Sequence, residues 1–94
     1  MASTELFNGG GENRVSILAR IDESGFVIDV EDSGPMAEKF WGAESHEYWT
    51  TVPKDAWGQL LMAFAKEYLA DANGGSRLRE MCRKHAVPFS TAYW

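Results

Sequence analysis

Three groups of side chains in this sequence are of types that do chemistry. Cys82 and His85 stand one helical turn apart if their segment is helical, a spacing at which an imidazole can take the proton from a thiol and leave a nucleophilic thiolate. The same spacing puts both on an apolar stripe with Leu78 and Met81, where a cysteine behaves as a small hydrophobe beside a partly buried histidine. Cys82 is the only cysteine in the 94 residues, so no disulfide can form within the chain and no second pair completes a zinc site. Glu44, His46 and Glu47 mix oxygen and nitrogen ligands, and Asp32 joins them if the loops converge, but three neighbours in one stretch lack the fixed geometry a metal needs. Asp29, Glu31 and Asp32 offer neighbouring carboxylates of the kind used as acid and base, yet strand alternation sends Asp29 and Glu31 to solvent. Gly9-Gly10-Gly11 has neither the lysine nor the preceding strand of a phosphate loop and reads as a tether. The expectation is no catalytic residue, no metal and no cofactor. A small metal-dependent or thiol enzyme built on His46 with Glu44 and Glu47, or on Cys82 with His85, stands as the alternative.

Charge and aromatic content point elsewhere. The formal net charge is −5, and it is unevenly spread. Between Asp22 and Glu47, eight acids (Asp22, Glu23, Asp29, Glu31, Asp32, Glu38, Glu44 and Glu47) face Lys39 alone, whereas Arg77, Arg79, Arg83 and Lys84 near the C-terminus face only Glu80. An acidic surface repels phosphates and anionic lipid and favours basic protein surfaces, so neither direct nucleic-acid binding nor membrane binding is expected. The basic segment reads as a solvated face or a counterweight to the acids. Trp41, Tyr48, Trp49, Trp57 and Trp94, with Phe40, are many large rings for so short a chain. Those left over from the core are of the type that anchors interfaces.

These residues must be positioned by elements that hydropathy predicts. Hydrophobic residues make up 45% and charged residues 24%, ordinary globular usage with no run of eighteen apolar residues. Residues 1–13 read as a flexible N-terminal arm without a basic leader, which favours a cytoplasmic chain, and residues 14–94 as a single domain. Val15, Ile17, Ala19 and Ile21 alternate with more polar neighbours, as do Phe26, Ile28 and Val30, and Asp22 to Gly25 joins the two strands into a hairpin with Gly25 at positive φ. Pro35 opens a short helix to Trp41 and Gly42 ends it; residues 47–52 make a third strand. Pro53 leads into a long helix to Asp71, and Ser76 caps a second one over 77–86. Phe89, Thr91 and Tyr93 alternate as an edge strand would.

The stretch from Ile21 to Pro53 resembles a family of small uncharacterised bacterial proteins. In that family a hairpin ends in a Gly-Gln-Asp-Leu-Gly-Pro-like turn, followed by a Phe-Phe/Trp-Gly segment and a Glu-Tyr-Trp-x-Thr-Val-Pro strand entering a helix. The matching residues are Asp32, Gly34 and Pro35, then Phe40, Trp41 and Gly42, then Glu47, Tyr48, Trp49, Thr51, Val52 and Pro53. The resemblance implies a small α+β domain and no particular activity.

The sequence therefore predicts an α+β fold: an antiparallel sheet of three or four strands, hairpin first, covered on one face by two helices. The function it favours is a non-enzymatic interaction module in which Asp29, Glu31, Asp32, Trp41, Glu44 and Glu47 engage a basic protein. Immunity proteins, antitoxins and phage-borne inhibitors of host defence are of this kind. Self-association into a homodimer through the same aromatic residues is a variant.

Overall fold

The computed structural model describes residues 2–93. They form an α+β architecture, a four-stranded antiparallel sheet with three α-helices. The chain gathers into two compact units, one running to Trp57 and the other beginning at Gly58. No helix among the described residues is long and apolar enough to cross a membrane.

The first unit holds the sheet: β1 (Ala2–Gly9), β2 (Arg14–Asp22), β3 (Gly25–Ser33) and β4 (Ser45–Val52), in spatial order β1-β2-β3-β4. The expected hairpin is β2–β3. Asp22 pairs with Gly25, so only Glu23 and Ser24 lie between them, and the Ser24 N–H donates to Asp22 Oδ1 at 2.8 Å. Gly25 adopts φ +130°, and a Cβ there would lie 2.2 Å from the Val52 carbonyl oxygen, so only glycine fits.

The N-terminal arm is corrected. Residues 2–9 form β1, which pairs with β2 from Ala2 opposite Ile21 to Gly9 opposite Val15, with an irregularity between Glu5 and Phe7. The physical reason is that β3 occupies only one edge of β2. The Ser3-Thr4-Glu5-Leu6-Phe7 stretch takes the other, and the bulge disrupts the ladder locally.

The short helix, α1 (Pro35–Trp41), lies between β3 and β4 in the chain, opened by Pro35 and closed by Gly42, whose N–H donates to the Glu38 carbonyl at 2.9 Å. Its start is pinned from two sides: Met36 N–H donates to Asn13 Oδ1 at 2.8 Å, and Gly34 N–H to the Glu44 carbonyl at 2.9 Å. Gly34 is required here, since φ is +111° and a Cβ would lie 1.9 Å from the Glu12 carbonyl oxygen. β4 begins at Ser45, two residues before the sequence predicts, because Ser45 and His46 continue the ladder opposite Ser33 and Asp32. After Pro53 the chain makes a 3-10 turn at Lys54–Ala56. The Trp57 indole N–H then donates to the Val52 carbonyl at 2.9 Å.

The second unit contains the remainder of α2 (Trp57–Tyr68) and α3 (Gly74–Lys84). The long helix is shorter at both ends than 53–71, since the 3-10 turn takes the entry. The residue capping α3 is Asn73 and not Ser76, whose hydroxyl donates to the Asn73 carbonyl at 3.0 Å within the first turn. Arg77 ties the interhelix segment down, donating to both carboxylate oxygens of Asp71 at 2.8 and 3.0 Å and to the Tyr68 carbonyl. That guanidinium, with the Asn73 N–H, holds the Asp71 carboxyl below its ordinary range. α3 ends in a Schellman motif: Val87 N–H reaches the Cys82 carbonyl at 2.8 Å and Ala86, at φ +56°, reaches that of Arg83 at 3.4 Å. Residues 87–93 contain no strand. The Phe89 ring lies instead with its centroid 5.5 Å from the Arg83 guanidinium, and alternation of side chains without backbone pairing does not make a strand.

Candidate functional site

Register decides which predicted residues meet. Residues directly opposite across an antiparallel sheet share a face, and successive residues alternate between faces. The pairings align Glu5, Leu18, Asp29 and Trp49 in one row across the four strands, and Ser16, Glu31 and Glu47 in the next. Asp29, Glu31 and Glu47 therefore lie on one face, joined by Glu5 and by Trp49, which is 60% exposed. Asp32, although next to Glu31, belongs to the opposite face, in register with Val15 and His46.

On the first of these faces Arg20 is the central base. Its Nη1 donates to Asp29 Oδ2 at 2.8 Å and its Nε to Asp22 Oδ2 at 2.9 Å. The Asp22 carboxyl is consequently held below its ordinary range, by Arg20 first and by the Ser24 N–H second. Directly opposite Arg20 in β3 is Val27, which at 1% exposure is the most deeply buried hydrophobic residue among the described residues. Alternation alone marks this as the solvent face, yet the burial of Val27 shows that part of it is covered. The buried Ala19 and Val30 lie on the other face, so both faces contribute to the core.

Farther along the row, neutralisation stops. Glu31 and Glu47 face each other across β3 and β4, a like-charge pair that weakens a sheet. The Glu47 carboxyl is pushed above the ordinary glutamate range. In its protonated form it can hydrogen-bond the Asp29 carboxylate, whose charge also opposes ionisation, and Glu31 adds to the effect. This face is thus an acidic strip with an exposed indole beside it.

The remaining predicted residues gather around α1. The Trp41 ring stacks on the His46 imidazole, with centroids 4.0 Å apart and planes 10° from parallel, and the His46 centroid is 5.9 Å from that of Tyr48. Beside Trp41 is a cavity of about 130 Å³ lined by Asn13, Arg14, Val15, Asp32, Ser33, Met36, Ala37, Phe40 and Trp41. Glu44 stands on the other side of the Gly34 turn, where it lines a separate hollow with Ser33, Pro35 and Glu38.

Of the residues in the metal and thiol alternatives, His46 and Glu47 are consecutive strand residues and point to opposite faces. Among the described residues no group of three or more His, Cys, Asp or Glu is placed to hold a metal ion. Cys82 is buried, whereas His85 is the exposed C-cap of α3.

Of these residues, Glu5 is the one the sequence does not single out; His46 is named there beside Asp32 as a metal-ligand type, and Trp49 among the rings that could anchor an interface. The β3–β4 register is what brings Trp49 opposite Asp29, and Glu5 is hidden by the expectation of an arm. Comparison with protein-family models, with curated proteins and with solved structures finds no match to this chain.

Proposed function

We propose that this chain is a non-enzymatic protein-binding module whose acidic sheet face engages a basic protein surface. The observation that carries this reading is the directly opposed Glu31–Glu47 pair, with Asp29 diagonal to it and Trp49 exposed alongside. Like charges held face to face are unfavourable in the free protein, and a lysine or arginine placed between them converts repulsion into attraction. Complementary charge speeds encounter and selects the partner, and a neighbouring tryptophan supplies apolar contact area that becomes dry on binding. Inhibitors of nucleic-acid-binding proteins, of the immunity, antitoxin or anti-defence type, present such surfaces, and a basic partner of that class is the one this face suits.

The test is affinity capture from lysate with the native protein beside Glu31→Lys/Glu47→Lys, which inverts the opposed pair and leaves Arg20 and its partners in place. A basic protein retained by the native form, released as salt rises and absent from the reversed form is the expected outcome. Equal retention by both forms overturns the proposal.

A further inference from the structure

We infer that the cavity between α1 and the ends of β2 and β3 is a receptor for one arginine side chain of the partner. The inference rests on the reading of the chain as a binder of basic proteins and names a second contact for it. Size comes first: at about 130 Å³ the cavity is well below the roughly 300–1,000 Å³ of small-molecule sites, and it suits the end of a single side chain.

Chemistry narrows the occupant. Val15, Met36, Ala37, Phe40 and Trp41 supply apolar and aromatic walls, and Asp32 supplies a carboxylate. One face of the Trp41 ring is taken by His46, while the residue remains 56% exposed, which leaves ring surface for a second planar group. A guanidinium is planar, stacks on indole and presents paired N–H donors to a carboxylate, whereas an ammonium does neither of the first two. The charged groups nearby are Arg14, Glu38, Lys39, Glu44 and His46. Arg14 lines the cavity, but its register with Ser33 assigns its side chain to the face opposite Asp32. Glu38 and Glu44 line the adjoining hollow and add negative potential at the approach. Lys39 lies with its Nζ 6.0 Å from the Phe40 centroid, a cation already held against one of the aromatic walls.

The probe is Nα-acetyl-arginine methylamide, titrated against the full chain while the indole N–H resonance of Trp41, assigned with Trp41→Phe, is followed by NMR. The lysine and norleucine analogues serve as controls. The expected result is a saturable shift with the arginine compound, a weaker one with lysine and none with norleucine. Asp32→Asn, an isosteric change, and Ala37→Leu, which fills the cavity, should each weaken binding about tenfold, the loss expected when a charge-assisted hydrogen bond or its site is removed. Glu31→Lys/Glu47→Lys should change it by no more than about threefold at physiological salt, where exposed charges beyond a Debye length are screened. An unshifted Trp41 resonance, equal binding of norleucine, or full binding by Asp32→Asn overturns the assignment. If the arginine compound fails while charge reversal still abolishes capture of the basic protein, the cavity assignment falls and the acidic-face reading stands.

Discussion

The acidic strip on the sheet and the cavity beside α1 draw on the same strand, yet what faces their carboxylates differs. In the strip, Asp29 is answered by Arg20 while Glu31 and Glu47 are answered by each other. Beside α1, Asp32 is answered by His46 in register and by the rings of Phe40 and Trp41 around the cavity. Glu31 and Asp32 are consecutive, so one step along β3 carries the chain from a surface ruled by charge to one ruled by shape and ring stacking. An acidic segment is therefore not one surface: alternation divides its charges between two faces with different physical demands.

The most damaging way to separate the two regions is at Gly34, which sets the direction of α1. Gly34→Ala forces a side chain into positive φ and against the Glu12 carbonyl, a strain of at least about 1–3 kcal/mol. A lower urea midpoint together with loss of the Trp41–His46 stack is expected, with the Glu31–Glu47 row retained in backbone NMR. Next in size, Val27→Ala removes the buried side chain across from Arg20 and should cost about 1.5–3 kcal/mol in urea unfolding while leaving the α1 cavity intact. A smaller effect is expected from His46→Ala, which uncovers one face of Trp41. The loss of stacking should lower stability by about 0.5–1.5 kcal/mol and alter the fluorescence of Trp41.

The smallest change is also the one with the opposite sign. Glu47 has a carboxyl raised above its unfolded value, so the folded state holds the proton more tightly, and this contribution to stability is lost as pH rises through the carboxylate range. Glu47→Gln should therefore melt above the native protein at neutral pH, and the gap should close as pH falls and the native Glu47 takes up its proton. A constant gap across that range would show that the opposed acids are not its cause. Weaker capture of the basic partner by this more stable variant would tie the repulsion to binding.

Much of this was legible in the residues, but not all for the same reason. The hairpin followed from the alternation of Val15 to Ile21 and Phe26 to Val30 and from Gly25, and α1 from Pro35 and Gly42, because these are local signals. β1 was hidden because Gly9-Gly10-Gly11 looks like a tether; what orders residues 2–9 is the free edge of β2, a partner that local composition does not reveal. The tail from Phe89 to Tyr93 is the converse case, since alternation describes side chains and a strand also needs backbone pairing, which these residues do not form. In the candidate site, parity within β3 puts Asp29 and Glu31 on one face, whereas the placing of Glu47 on that face opposite Glu31 and the stack of Trp41 on His46 depend on the β3–β4 register, which no single strand contains.

The order β1-β2-β3-β4 has a consequence for how the sheet is built in time. Each strand pairs with its neighbour in sequence, so every ladder closes over a short connection, and the longest of these, between β3 and β4, contains α1. Loop-closure entropy is small for such connections, and sheets made of sequence-local pairings reach their native contacts sooner than those that await a distant strand. During synthesis the sheet can grow one strand at a time from the N-terminus, with β2 available to β1 as soon as it emerges and all four ladder partners present before α2 is complete.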